Sequence, residues 1–166
     1  MPARLCAICT DITTLNVDAI VNAANASLLP VRGVCGAIHR TAGPELEQKC
    51  RVLGDCPTGD AKLTRGYRLS ARYVIHAVGP VWTGGNNGEP AQLASRYCRS
   101  LKIAAKNRTQ PTAFPSIYGY LIELAANVAI DSVRTTMAGL SSVYEETCCC
   151  FSPNDLMVYQ KHLARA

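Results

Sequence analysis

This 166-residue chain has few aromatics, few acids along its middle, and no long apolar run, and each shortage excludes something. No uninterrupted apolar stretch approaches the roughly 18 residues of a membrane-spanning helix, so no membrane partner is expected. The start, Met1-Pro2-Ala3-Arg4-Leu5, lacks the apolar centre of a secretory signal, and a cytoplasmic location is expected. The ten aromatics (one Trp, seven Tyr, two Phe) are too few to suggest the exposed stacking rows of an RNA reader. Internal repeats, low-complexity tracts and linkers are also missing, so residues 1–166 are expected to form one domain with its own core.

Acids are scarcest between Ala61 and Arg108, where nine basic residues (Lys62, Arg65, Arg68, Arg72, Arg96, Arg99, Lys102, Lys106, Arg108) face the single acid Glu89. This bias suits an anionic partner, either a phosphorylated small molecule or nucleic acid; a solvated basic face is the alternative. Cysteine, by contrast, is plentiful. The nine residues (6, 9, 35, 50, 56, 98, 148, 149 and 150) are odd in number and scattered among strands and helices, which fits free thiols better than a disulfide framework. Cys6-x-x-Cys9 has the spacing of half a zinc site, but no second Cys or His pair completes it, so no metal or cofactor is expected.

Apolar periodicity places strands at 4–9, 19–21, 61–64, 73–78, 112–117 and 146–151, with helices over 34–51, 91–107, 121–137 and 154–163. Gly43-Pro44 breaks or restarts the first helix, and Pro115 marks an end, an edge or a bulge. On the 91–107 helix, Arg96, Arg99, Lys102 and Lys106 are expected to line a different side from the apolar residues. His76, inside the nearly continuous apolar run YVIHAV, reads as a hydrogen-bonded core residue. Strands alternating with helices predict a three-layer α/β/α sandwich with a mixed, mostly parallel central sheet. Ligands of such sheets gather at the carboxyl ends of the strands. That rule puts Asp11, Asn22, Asn25, the Gly33 loop, Ser116 to Tyr118 and Phe151 along one rim.

Organisation centres on 18–43, DAIVNAANASLLPVRGVCGAIHRTAG. A short apolar run leads into Asn22 and Asn25, then a Pro/Gly-interrupted loop feeds a helix start at Gly33-Val34-Cys35-Gly36. Free backbone N–H groups at such a start attract phosphate or another anion. Asp11, in Thr10-Asp11-Ile12-Thr13, can cap a turn or accept a hydrogen bond from a ligand amine.

TDIT at 10–13, VDAIVNAAN at 17–25, GAIHRTAGPEL at 36–46, CPTGDA at 56–61 and YVIHAVGPVW at 73–82 resemble the macro domain family. The likeness is to the MacroD-type branch that includes bacterial O-acetyl-ADP-ribose deacetylases, and it runs from about residue 4 to residue 164. The resemblance implies a cleft for ADP-ribose, with ADP-ribosylated protein or O-acetyl-ADP-ribose as substrate. It would give Asp11 the adenine amino group, with Ile12 and Phe151 nearby, and give Asn25 and Asn22 the proximal ribose. His39 would support the catalytic region from one helical turn away. Gly33 and Val34 on one side, and Ser116, Ile117, Tyr118 and Gly119 on the other, would cradle the diphosphate.

The departures from the family pattern fall in the same places. Pro30-Val31-Arg32-Gly33 stands where the family carries a glycine run, so side chains replace bare backbone and Pro30 brings no N–H. Arg32 offers a compensating charge for the diphosphate. Cys35 replaces the catalytic aspartate. A neutral thiol cannot orient water as a carboxylate does, although a helix N-terminus lowers a cysteine pKa and favours thiolate. The connection from Ile117 to Tyr118 is shorter than the family's second loop.

Three functions follow as expectations: an ADP-ribosyl hydrolase or deacetylase using Asn25, Asn22, Cys35 and His39; a non-catalytic ADP-ribose reader; and, ranked last, an RNA- or protein-interaction module. The triple Cys148-Cys149-Cys150 reads as small apolar filling of a buried strand.

Overall fold

A computed structural model describes residues 2–116 and 121–165. Its six strands are β1 (Arg4–Cys9), β2 (Ala19–Ala24), β3 (Ala61–Arg65), β4 (Tyr73–Val78), β5 (Thr112–Pro115) and β6 (Glu145–Cys150). They form one sheet in the order β1-β6-β5-β2-β4-β3. Every pairing is parallel except β3 with β4, which is antiparallel. Five helices cover the sheet: α1 (Val34–Ala42), α2 (Pro44–Leu53), α3 (Glu89–Asn107), α4 (Ile122–Gly139) and α5 (Pro153–Leu163). The result is the expected α/β sandwich.

Alternation along the strands builds two cores. Val21, Ile75, Phe114, Cys148 and Cys150 face α3, α4 and α5, whereas Ile20, Val74, Val78, Ala113 and Cys149 face α1 and α2. The cysteine triple therefore divides between both faces, buried throughout, and acts as small apolar filling. Each fully buried Leu or Ile contributes roughly 1.5–3 kcal/mol, and both cores hold several.

The single helical pattern over 34–51 resolves into two helices. Gly43 terminates α1 with φ +88°, and Pro44 starts α2 at a position where its missing N–H costs nothing. β2 runs three residues beyond its expected end at Val21, and this moves Asn22 from the strand's end into its interior. Ser152 caps α5 by accepting from the Asp155 N–H at 3.1 Å.

Because both faces of the sheet are covered, polar side chains inside strands must find partners there. His76 does so twice: its Nδ1 lies 3.1 Å from Asn22 Nδ2 and its Nε2 lies 2.9 Å from Thr64 Oγ1. Burial pushes its pKa down to about 3, so the ring is neutral and serves as a cross-strand tie between β2, β4 and β3, as the sequence suggested.

Glu146, fully buried near the start of β6, is less well served. Its Oε1 accepts from Gln110 Nε2 at 2.8 Å, while Oε2 is buried without a partner. Gln110 is held in turn by the Tyr144 and Glu145 N–H groups, which donate to its Oε1. Burial raises the Glu146 pKa from 4.5 to about 8. The folded chain keeps this proton to about pH 8, whereas the unfolded chain releases it near 4.5, so stability from this group is present at low pH and declines as pH rises between the two values. Glu146→Gln is expected to flatten that decline and to raise Tm above wild type at about pH 8. Thermal melts across the window check this; a variant that follows the wild-type slope refutes it.

Candidate functional site

The strands' carboxyl ends open on a cleft of about 1020 Å³. Its lining includes Asp11, Ile12 and Phe151 from beyond the ends of the neighbouring strands β1 and β6, Arg32 to Val34 at the start of α1, and Gly79, Pro80, Leu93 and Arg96 from the segment after β4 and from α3. A smaller hollow of about 440 Å³ between α4 and α5 lies away from this rim. Its Arg134 is already engaged by the Leu163 and Arg165 carbonyls.

Beyond β1, Asp11 caps the turn Ile12–Thr14. Its Oδ1 accepts from the Thr13 N–H at 2.9 Å and from the Thr13 hydroxyl at 2.7 Å, yet the residue stays exposed and lines the cleft. Capping and ligand contact are thus compatible here. Ile12 is buried beneath it, and the Phe151 side chain projects outward, 79% exposed. Ser116 joins the ends of two strands: its N–H donates to the Cys149 carbonyl, and its Oγ accepts from the Phe151 N–H. Ile117, Tyr118 and Gly119, expected to continue the phosphate cradle, lie outside the described residues.

Gly33 takes φ +76° immediately before α1, a left-handed region where a side chain is strained. The first turn of α1 contains no acid, so its free N–H groups and the helix dipole present positive potential to the cleft. Arg32, Gly33 and Val34 all line it here, as expected. Gly36 is required by the fit behind them, since a Cβ at that position would collide with the Val31 carbonyl oxygen.

The other expected residues lie beneath the cleft or, for Asn25, directly after the lining residue Ala24. Asn22, expected on the rim, is fully buried beneath α1 because β2 continues past it; its Nδ2 also lies 3.6 Å from the Cys35 sulfur. Cys35 is 1% exposed, and its thiol points to the Leu29 carbonyl at 3.8 Å. His39, one turn further on, is buried, with its ring 6.3 Å from that of His76 and its pKa lowered chiefly by desolvation. Asn25 is half-buried in the following loop, where its Oδ1 accepts from the Ser27 hydroxyl at 2.6 Å and its Nδ2 donates to the Leu29 carbonyl at 3.5 Å. None of these four is among the described residues that line the cleft.

Two charged cleft residues, Arg40 and Arg96, escape the sequence reading. Arg40 reaches back so that its Nη1 lies 3.1 Å from where a Gly36 Cβ would stand. Arg96, expected on the outer side of its helix, is instead 2% exposed. Spacing held the signal: Leu93, Arg96, Tyr97, Ser100, Leu101 and Ala104 follow the helical repeat and all are buried. Three other cations of the 61–108 stretch are engaged away from the cleft lining. Lys62 binds the Leu53 and Asp55 carbonyls, Arg99 pairs with Asp60 at 3.0 Å, and Arg72 lies 3.8 Å from Asp18.

Comparisons with known proteins agree with this geometry. The macro domain family model matches residues 21–129. A macro domain-containing protein of Chlorobaculum tepidum is 57% identical over 162 residues, covering 95% of this chain and 94% of that protein. An O-acetyl-ADP-ribose deacetylase of Citrobacter rodentium is 42% identical over 173 residues, covering 99% of this chain and 98% of that enzyme. The crystal structure of a Trypanosoma brucei macrodomain in complex with ADP-ribose superimposes with a TM-score of 0.90 at 35% identity, covering 96% of this chain and 69% of that one. Sheet order, cleft position and sequence kinship therefore converge, and the chain belongs to the macro domain family.

Proposed function

We propose that this chain binds ADP-ribose in the rim cleft. The observation that carries the reading is the polarity of that cleft: a carboxylate and an apolar side chain at one end, Asp11 and Phe151, and an unblocked helix start flanked by arginine at the middle. A ligand with a hydrogen-bond-donating purine at one end and a dianionic diphosphate next to it matches this order. The volume, about 1020 Å³, suits a ligand of dinucleotide fragment size. Calorimetric titration is expected to give a dissociation constant in the micromolar range; no detectable heat at millimolar ligand defeats the proposal.

A second reading, hydrolysis of ADP-ribosyl esters or of O-acetyl-ADP-ribose, is favoured by the kinship to a deacetylase. Against rapid turnover stand two features of the site. Among the described residues lining the cleft, Asp11 is the only carboxylate, and it lies at the adenine end. The Cys35 thiol is covered and already directed at a backbone carbonyl, so it is poorly placed to act as a nucleophile. A slow reaction would rest on ligand positioning by Asn25 and on a water ordered by the bound phosphates.

The two readings separate through Cys35. Release of ADP-ribose from a glutamate-modified protein is expected to be slow in wild type and unchanged within about twofold in Cys35→Ala. Cys35→Asp is expected to raise it at least about tenfold by supplying a carboxylate. Loss of turnover in Cys35→Ala would reveal thiol chemistry after all. The loop before α1 gives an independent check on binding. Gly36→Ala forces the Val31 carbonyl aside and is expected to weaken ADP-ribose affinity about tenfold with a fall in Tm of a few degrees. Unaltered affinity in that variant would disconnect the loop from the ligand.

A further inference from the structure

Arg96 is among the bulkiest buried side chains, and it is a cation. Its Nε and Nη2 are buried without a hydrogen-bond partner, and among the described residues no carboxylate forms an ion pair with it. An aromatic ring and a glycine lie beside it. Its Cζ lies 5.6 Å from the Tyr97 ring centroid, and its Cδ and Nη1 come within 3.3 Å of the point where a Gly79 Cβ would stand. Glycine at 79 therefore makes the room the guanidinium occupies, at the residue where β4 ends. Desolvation lowers the group's pKa, yet a guanidinium keeps its proton in proteins.

Burying an unpaired charge is strongly unfavourable, and a cation–π contact returns only part of that cost. Among the described residues, nothing supplies a counter-charge for this group. Arg96 also lines the cleft, as do Arg32 and Gly33 at the start of α1, a helix that packs on the opposite face of the sheet from α3. An anion entering there meets the guanidinium either in place or after a small change in its terminal torsions.

We infer that Arg96 is the floor-side counter-charge for the ligand's diphosphate, pairing with it from beneath while the start of α1 and Arg32 hold it from above. The inference rests on the ADP-ribose reading for the identity of the ligand, and on the orphaned guanidinium for the chemistry, which any vicinal diphosphate would satisfy. Arg96 is a binding residue here and takes no part in bond breaking. It replaces by charge some of what Pro30-Val31-Arg32 gave up in backbone N–H groups.

The test compares wild type with Arg96→Met, which fills similar space without charge, using inorganic pyrophosphate, ADP-ribose and adenosine as titrants. Expected are a loss of at least about twentyfold in affinity for pyrophosphate and ADP-ribose, adenosine affinity unchanged within about twofold, and an apo Tm equal to or above wild type. A structural arginine predicts the reverse: a lower Tm with anion affinity intact, and that result overturns the inference. In wild type, the Arg96 Nε–H NMR resonance, assigned through bonds, is expected to shift as pyrophosphate is added. An unmoved resonance overturns the inference even where the Met variant does not fold. Pyrophosphate held through Arg96 without ADP-ribose binding upholds this inference and defeats the proposed function. ADP-ribose bound equally by both proteins does the opposite, and no anion binding by wild type defeats both.

Discussion

The sheet's burial on both faces is the constraint from which the rest follows. Parallel strands with helices above and below leave no solvated face, so every polar group inside the sheet has to be paired or neutral. Asn22, Thr64 and His76 meet this requirement together, one residue from each of three neighbouring strands. Glu146 meets it by keeping its proton. Ligand chemistry is thereby confined to the carboxyl rim, where the strands stop and backbone N–H groups become free.

That rim divides labour by charge. Asp11 is retained at one end because it has a local task as well, capping the turn that follows β1. The other charged side chains of the described lining are all basic: Arg32 and Arg40 come from the α1 segment and Arg96 from α3 on the opposite side of the sheet. Positive charge approaching one space from both layers of the sandwich is a stronger sign of an anionic ligand than the basic excess along 61–108. Three of those nine cations, Lys62, Arg72 and Arg99, are engaged instead in carbonyl contacts and exposed ion pairs, each worth about 1 kcal/mol or less.

Architecture was legible in the sequence because it depends on periodicity, and periodicity survives without knowledge of contacts. The run YVIHAV shows a strand covered on both faces, and the structure places it between two neighbours, with His76 as the core tie it was read to be. The Gly33 helix start and Asp11 were legible through backbone chemistry. Side-chain direction was harder. Ending β2 at Val21 puts Asn22 on the rim; three further residues of strand turn it beneath α1. Arg96 was grouped with Arg99, Lys102 and Lys106 by charge, although its spacing from Leu93 and Leu101 placed it among the buried positions. An exposed assignment for arginine is the ordinary expectation, and departure from it required tertiary context.

The contrast between Cys35 and Arg96 bears on how the site changed. Both stand where a small adjustment of charge matters: Cys35 in the first turn of α1, without a carboxylate, and Arg96 in the cleft lining, with a guanidinium that no carboxylate pairs among the described residues. The absence of a carboxylate in that first turn makes the helix start more favourable for a dianion, since one negative charge fewer opposes the helix dipole. A buried cation on the other side adds to the same effect. Both features strengthen attraction for a diphosphate, and neither supplies a base. The electrostatics of the cleft are thus arranged for holding an anionic ligand, and catalysis would have to come from the ligand's own phosphates and from water placed beside Asn25.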